Sequence, residues 1–171
     1  IEAIHSANTE VHAAGTDDHQ MGTTVVVWTL TSLGQCFVGH VGDSRAYRLR
    51  SGGLKRMTTD HSLVQQLIDD GVLSEAEALT APNRNIITRA VGLEDRVEAE
   101  VRSWVYLPGD VFLLCSDGLT DMVSDLVVEE ILNAHLSGDD TGLATAADRL
   151  IRKANDAGGF DNVSVILVRP A

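Results

Sequence analysis

Hydrophobic residues recur along the first third of the chain with a helical period and then with a strand period. Over residues 4–11 they lie on one face of a helix that ends at Gly15. From residue 23 onward, Val and Thr dominate and apolar positions alternate with polar ones, which is typical of strands separated by short turns. The pattern predicts an antiparallel meander with strands at 23–30, 36–41, 46–50 and 54–57.

The middle and the end of the chain mix helical and strand patterns. Asp60 or Ser62 can cap a helix that Gly71 ends. Ser74 and Glu77 have the spacing of a capping box for a second short helix. Beyond this segment the pattern predicts strands at 97–105, 111–116 and 163–168, and helices at 125–135, capped by Asp125, and at 143–154.

These elements together predict an α+β fold. The 171 residues are 44% apolar, which is enough to bury a core, and no repeat, low-complexity run or linker divides them. We therefore expect one domain over residues 1–171, with antiparallel sheets stacked as a β-sandwich and flanked by helices.

Charge and cysteine content narrow the function classes. The formal net charge of -12 argues against nucleic acid or an anionic membrane as the main partner, because both attract basic surfaces. No stretch has the apolar length of a transmembrane helix. The two cysteines, Cys36 and Cys115, lie in apolar strand-like runs, which favours buried thiols in the cytoplasm; a disulfide between them is the minor alternative.

Acidic residues follow three of the apolar runs. Asp43, Asp117 and Asp161 each lie in a short turn with glycine close by, and Asp121 follows Asp117 by one helical turn. Any one of them alone is better explained as a turn residue or a solvated helix start. Several carboxylates gathered together repel one another unless a cation lies between them, and carboxylate oxygens are ligands for Mg²⁺ and Mn²⁺. The set therefore predicts a divalent metal site.

Other acidic, nucleotide and hydrolase motifs do not fit. A calcium-binding EF-hand loop starting at Asp117 needs glycine and glutamate where the chain has Met122 and Val128. The phosphate-binding Gly-x-x-x-x-Gly-Lys loop, the zinc motif His-Glu-x-x-His and the serine hydrolase motif Gly-x-Ser-x-Gly are all missing. Calcium sensing, nucleotide binding and serine hydrolase chemistry therefore have no support.

Six short segments follow one another in a recognisable order. They are MGTT at 21–24, VGDSRAY at 41–47, TDHS at 59–62, ITRAVG at 87–92, LCSDGL at 114–119 and DNVS at 161–164. Together they resemble the motifs of the PP2C-type (PPM) metal-dependent protein serine/threonine phosphatases, and the bacterial branch in particular. The resemblance extends over nearly the whole chain.

The resemblance implies roles for the acidic residues. Asp117 and Asp161 match the aspartates that hold the first ion of a catalytic Mn²⁺ or Mg²⁺ pair, while Asp43 and Asp121, together with Asp117, match the ligands of a third, weaker ion. Such an enzyme hydrolyses phosphoserine and phosphothreonine in proteins with a metal-activated water and without a covalent intermediate. The insertion at about 62–85 matches a flap beside the cleft.

Arginine and histidine residues near these motifs receive structural interpretations. We expect Arg45 and Arg89 to pair with nearby carboxylates rather than with phosphate. His40 and His61 are expected to pack or to form hydrogen bonds rather than to act as acids.

The resemblance also implies missing parts. The family's bridging ligand lies in an Asp-Gly-x-Gly-Gly motif, and its general acid and phosphate-binding arginine are also expected upstream, yet only 21 residues precede Gly22. We expect the N-terminal part of the domain to be absent, the sheet edges to be open to self-association, and the chain alone to be inactive. The alternatives are a degenerate homologue, a pseudophosphatase or phosphoprotein-binding module without catalysis, and a structural metal-stabilised domain. In the complete protein, substrates are expected among the targets of a Ser/Thr protein kinase.

Overall fold

The computed structural model describes residues 1–16, 18–136 and 140–170. The chain separates into two compact units that alternate along the sequence. Unit 1 consists of Ile1–Val27, Phe37–Ser44 and Thr59–Arg102, and unit 2 consists of Trp28–Cys36, Arg45–Thr58 and Ser103–Ala171.

Helices and strands succeed one another as an α+β chain. The helices are α1 (Glu2–Ala14), α2 (Leu63–Asp69), α3 (Glu75–Ala78), α4 (Asp117–Thr120), α5 (Asp125–His135) and α6 (Asp140–Asp156). The strands are β1 (Val25–Leu30), β2 (Gln35–Val41), β3 (Arg45–Arg50), β4 (Gly53–Arg56), β5 (Glu100–Val105), β6 (Val111–Cys115) and β7 (Val165–Val168).

Most predicted elements are present, and their ends differ by a few residues. The capping box is confirmed, since Ser74 Oγ accepts from the Glu77 amide and the Glu77 carboxylate accepts from the Ser74 amide. Ser62, not Asp60, caps α2 by accepting from the Gln65 amide at 3.3 Å. The cap predicted at Asp125 was wrong by one residue, because the N-cap of α5 is Ser124 and its side chain makes no cap hydrogen bond.

The core of unit 2 lies against a four-stranded sheet in the order β4-β3-β6-β7. Every neighbouring pair in this sheet is antiparallel, as the meander pattern predicted for its first hairpin. All five residues of the central strand β6 are buried. Helices α5 and α6 add the fully buried Leu132 and Leu150 to this core, so β6 ends in a tightly packed environment. The other sheet has three strands in the order β1-β2-β5.

Unit 1 is organised around α1. Ile4 of α1 packs with Val41 and Val91 in a small apolar cluster. Asn8, which is 1% exposed, accepts from the Gly92 amide at 2.7 Å and donates to two carbonyl oxygens of the same loop. Among the described residues, no helix is both long enough and apolar enough to cross a membrane.

The predicted flap segment starts and ends at one short antiparallel bridge. Ser62 pairs with Ile87, and the Leu63 amide donates to the Ile86 carbonyl at 2.9 Å. Helices α2 and α3 lie between these two points. The role of this segment as a mobile flap stays a prediction.

Candidate metal centre

The antiparallel pairing of β6 with β7 brings two of the predicted ligands to the same end of the sheet. Cys115 is the register partner of Val165, so Asp117 lies just after β6 and Asp161 shortly before β7. One further hydrogen bond continues the ladder, from the Ser116 amide to the Ser164 carbonyl at 3.1 Å. This proximity depends on the register of two strands that are about 50 residues apart in sequence.

A glycine permits the close approach of the two turns. Gly118, the second residue of α4, is buried against the carbonyl group of Asn162, and a Cβ atom at Gly118 would overlap that carbonyl oxygen. The first turn of α4 also places Asp121 one turn from Asp117, since the Asp121 amide donates to the Asp117 carbonyl at 2.8 Å. The Ser-Asp-Gly sequence therefore has a steric reason for its glycine.

The electrostatics of Asp117 reflect its neighbours. Burial raises the pKa of the Asp117 carboxyl above its ordinary value, and the negative charges of Asp121 and Asp161 raise it further, while the amide of Gly118 acts in the opposite direction. The Gly118 amide donates to Asp117 Oδ1 at 2.9 Å, and the Asn162 amide donates to Asp161 Oδ1 at 2.6 Å. Each of these two carboxylates is thus oriented by the residue that follows it.

The donor set formed by Asp117, Asp121 and Asp161 fits a hard divalent cation. All three offer carboxylate oxygens, which suit Mg²⁺ and Mn²⁺ better than softer metals. The negative charges of Asp121 and Asp161 repel that of Asp117, and a bound cation would relieve this repulsion. Asp117, Asp121 and Asp161 are not among the described residues whose ligand atoms lie within 4.8 Å of one another, so the binding of one ion by all three stays a prediction.

Asp43, the fourth predicted ligand, belongs to unit 1. It follows Gly42, whose φ of 99° lies in the left-handed region and whose missing Cβ leaves room for Thr24. The Gly42 amide donates to His61 Nδ1 at 3.2 Å, and the His61 amide donates to the Gly42 carbonyl at 3.0 Å. The turn that presents Asp43 is therefore fixed, and its place beside Asp117 and Asp121 stays a prediction.

A second group of potential ligands lies in unit 1 and was not predicted from the sequence. One ligand atom from each of His40, His61 and Glu100 lies within 4.8 Å of the others. His61 is 7% exposed, and its Nε2 has no hydrogen-bond partner among the described residues. The nearest carboxylate oxygen in this group, Glu100 Oε2, is 3.8 Å from that nitrogen.

The tautomer of His61 argues against a metal at this second group. Because the Gly42 amide donates to Nδ1, the proton of the neutral ring resides on Nε2, which then has no lone pair for a metal. His40 stacks on His61 with a centroid distance of 4.7 Å, and its Nε2 lies 2.7 Å from the Thr59 carbonyl oxygen. We therefore interpret the group as two stacked, hydrogen-bonded histidines beside Glu100, in line with the packing role expected for both.

The two arginines lie beside side chains that suit a structural role. Arg89 pairs with Glu98 at 3.5 Å. Arg45 Nη1 donates to the Tyr47 hydroxyl at 3.4 Å, and its pairing with a carboxylate stays a prediction.

Comparison with known proteins connects this chain to a family. Residues 2–67 match the family model described as Protein phosphatase 2C. The serine/threonine phosphatase stp of Listeria welshimeri serovar 6b is 41% identical over 152 residues, an alignment that covers 89% of this chain and 58% of the relative. The chain thus spans less than two thirds of the length of that relative.

Solved structures agree in fold. The Mycobacterium tuberculosis serine/threonine phosphatase PstP/Ppp superposes with a TM-score of 0.87 at 36% identity, covering 97% of this chain and 68% of that structure. A catalytic domain of PstP in complex with two manganese ions gives a TM-score of 0.83 at 35% identity, with 97% and 67% of the two chains covered. The α+β architecture with antiparallel strands is shared with these phosphatases. On this sequence and structural evidence, the chain belongs to the protein phosphatase 2C family.

Proposed function

We propose that this chain is the larger part of a metal-dependent phosphatase that hydrolyses phosphoserine and phosphothreonine in proteins. The observation that carries the proposal is the register of β6 and β7, which brings Asp117 and Asp161 to one end of the sheet, with Asp121 one helical turn from Asp117. Burial and the like charge of these neighbours raise the pKa of Asp117. Like charge around Asp117 favours a bound cation, which a metal-dependent phosphatase needs.

The residues of the site divide into ligands and supports. Asp117 and Asp161 would hold the first ion of a catalytic Mn²⁺ or Mg²⁺ pair, and Asp121, with Asp43 and Asp117, would hold a third. When bound, the ions supply Lewis-acid chemistry, which lowers the pKa of an attacking water and neutralises charge on the phosphoryl oxygens. The amides of Gly118 and Asn162 orient the two first-named carboxylates for this task.

We further propose that the bridging ligand, the general acid and the phosphate-binding arginine lie in the part of the protein that precedes this chain. The proposal is supported by the share of the relative that the alignment covers, 58%. The 171-residue chain alone would then have little or no activity. Its open sheet edges would pair with a second copy or with the missing strands.

The cellular setting follows from the same proposal. Substrates would be phosphoproteins that a Ser/Thr protein kinase modifies, in the cytoplasm of a bacterium. The excess of acidic residues, 25 against 13 Lys and Arg, favours protein substrates over nucleic acid.

The decisive experiment compares the 171-residue chain with the protein translated from its whole gene. Phosphate release from a phosphothreonine peptide is measured with Mn²⁺, with Mg²⁺ and with a chelator. We expect Mn²⁺- or Mg²⁺-dependent turnover by the whole protein and little or none by the chain alone. Robust turnover by the chain would refute the proposed missing ligand.

Single substitutions test the ligand assignment in the whole protein. Asp117→Asn and Asp161→Asn should each abolish turnover while far-UV circular dichroism stays unchanged. Asp148→Asn is the matched control, because Asp148 lies on α6 with a side chain that is 68% exposed. Unchanged turnover in Asp117→Asn would reject the assignment. Phosphopeptide binding without turnover by the unsubstituted protein would favour the pseudophosphatase alternative.

A further inference from the structure

We infer that Ser116 is a positioning residue that sets the separation of the Asp117 and Asp161 carboxylates. The inference rests on the proposed function, since it takes these two aspartates as metal ligands. The Ser116 side chain is not itself one of the expected metal ligands.

One hydroxyl group joins the two turns. Ser116 Oγ donates to the Asn162 carbonyl at 3.2 Å and accepts from the Ser164 amide at 3.0 Å. Its donor and one of its acceptor positions are thus both used, on residues one and three places after Asp161. Because Ser116 directly precedes Asp117 in the chain, it is covalently linked to one ligand and hydrogen-bonded to the segment that carries the other.

The position of Ser116 in the chain would ordinarily give its hydroxyl another partner. Ser116 is the N-cap of α4, where a serine side chain normally accepts from an amide in the first helical turn. Here it makes no cap hydrogen bond. The hydroxyl instead donates to the carbonyl of Asn162, which is 46 residues away in sequence, in the turn that carries Asp161.

Apart from the Ser116 hydroxyl, the segment that carries Asp161 is joined to the Asp117 turn by the hydrogen bond from the Ser116 amide to the Ser164 carbonyl and by the packing of Gly118 on Asn162. Gly158 and Gly159 both have positive φ, and Phe160 is 84% exposed. Asp161 itself is exposed and lies outside the β6–β7 ladder, whose last register pair is Cys115 with Val165. Loss of the Ser116 hydroxyl would therefore remove the side-chain hydrogen bonds between the two turns and loosen Asp161 relative to Asp117, while the ladder itself persists.

The consequence should appear in metal affinity rather than in folding. Asn162 and Ser164 are both exposed, so water can replace the lost hydrogen bonds in a Ser116→Ala variant. Removing a group that orients a metal ligand typically weakens metal binding by about 10–100-fold. We expect a loss in this range for Mn²⁺, with an almost unchanged urea midpoint.

The test measures the Mn²⁺ Kd of the whole protein by the electron paramagnetic resonance signal of free Mn²⁺. Ser116→Ala should weaken binding, and Ser116→Thr, which keeps the hydroxyl, should restore most of it. Ser164→Ala is the matched control, because Ser164 contributes only backbone groups to the hydrogen bonds described here and should bind Mn²⁺ like the unsubstituted protein. Asp117→Asn is measured alongside as the ligand variant.

The outcomes separate this inference from the proposed function. If Asp117→Asn loses Mn²⁺ binding and Ser116→Ala does not, the positioning role is wrong and the ligand assignment stands. If neither variant changes the Kd, the ligand assignment fails, and the inference fails with it. Two further results would overturn the inference. In one, Ser116→Ala weakens Mn²⁺ binding and also lowers the urea midpoint; in the other, Ser116→Thr does not restore binding. In either case Ser116 would contribute general stability rather than position the ligands.

Discussion

Protonation of His61 should destabilise the chain as the pH falls from neutral toward 4. Burial, chiefly, and then the nearby His40 and Arg89 lower the pKa of His61 to about 4, against the opposite effect of Glu100 and Asp60. In the unfolded chain an ordinary histidine has a pKa of about 6.5. The unfolded state therefore binds the proton first, and the free energy of unfolding decreases over the interval between these two values.

The size of this effect follows from the difference between the two pKa values. A pKa difference of about 2.5, at about 1.36 kcal/mol per pH unit, corresponds to about 3 kcal/mol of unfolding free energy. This stabilisation decreases progressively below about pH 6.5 and is absent below about pH 4. The structure gives a physical reason, since a proton on Nδ1 would face the Gly42 amide, which now donates to that nitrogen at 3.2 Å.

Urea titrations at pH steps from 7.5 to 4.5 would measure the effect in the 171-residue chain without metal. His61→Asn is the test variant, because its side-chain oxygen can still accept from the Gly42 amide while it cannot titrate. The slope of unfolding free energy against pH should be clearly smaller in this variant. His5→Asn, at an exposed position on α1, is the control and should keep the original slope. Equal slopes for His61→Asn and the unsubstituted chain would refute the reasoning.

Three further predictions concern single contacts. Gly118→Ala should lower the unfolding free energy by about 1–3 kcal/mol, because its Cβ would overlap the Asn162 carbonyl and force the two turns apart; a urea midpoint equal to that of the unsubstituted chain would contradict this. Asp117→Asn should stabilise the metal-free chain at neutral pH, because the raised pKa of Asp117 means that its charge is disfavoured in the folded state. Mn²⁺ should then raise the melting temperature of this variant less than that of the unsubstituted chain. Asn8→Ala should cost about 1–3 kcal/mol, because it leaves the Gly92 amide without its acceptor, whereas Thr9→Ala at an exposed site on the same helix should cost less; equal losses would argue against the buried hydrogen bond.

Local patterns were sufficient for most of the elements. The alternation in β3 and the capping box at Ser74 depend on neighbours only a few residues away, so they could be predicted without a fold. Element ends were less accurate: β5 begins at Glu100 rather than at residue 97, because alternation alone does not show where ladder hydrogen bonds begin.

The sequence by itself predicted a metal site, because several aspartates gathered after apolar runs repel one another unless a cation lies between them. Only the tertiary structure decided that Asp117 and Asp161 come together, because the pairing of Cys115 with Val165 joins segments about 50 residues apart in sequence. It also decided the hydrogen-bond partners of Ser116 and His61, which are backbone groups distant in sequence. Such properties depend on burial and on long-range partners, which no periodicity along the chain encodes.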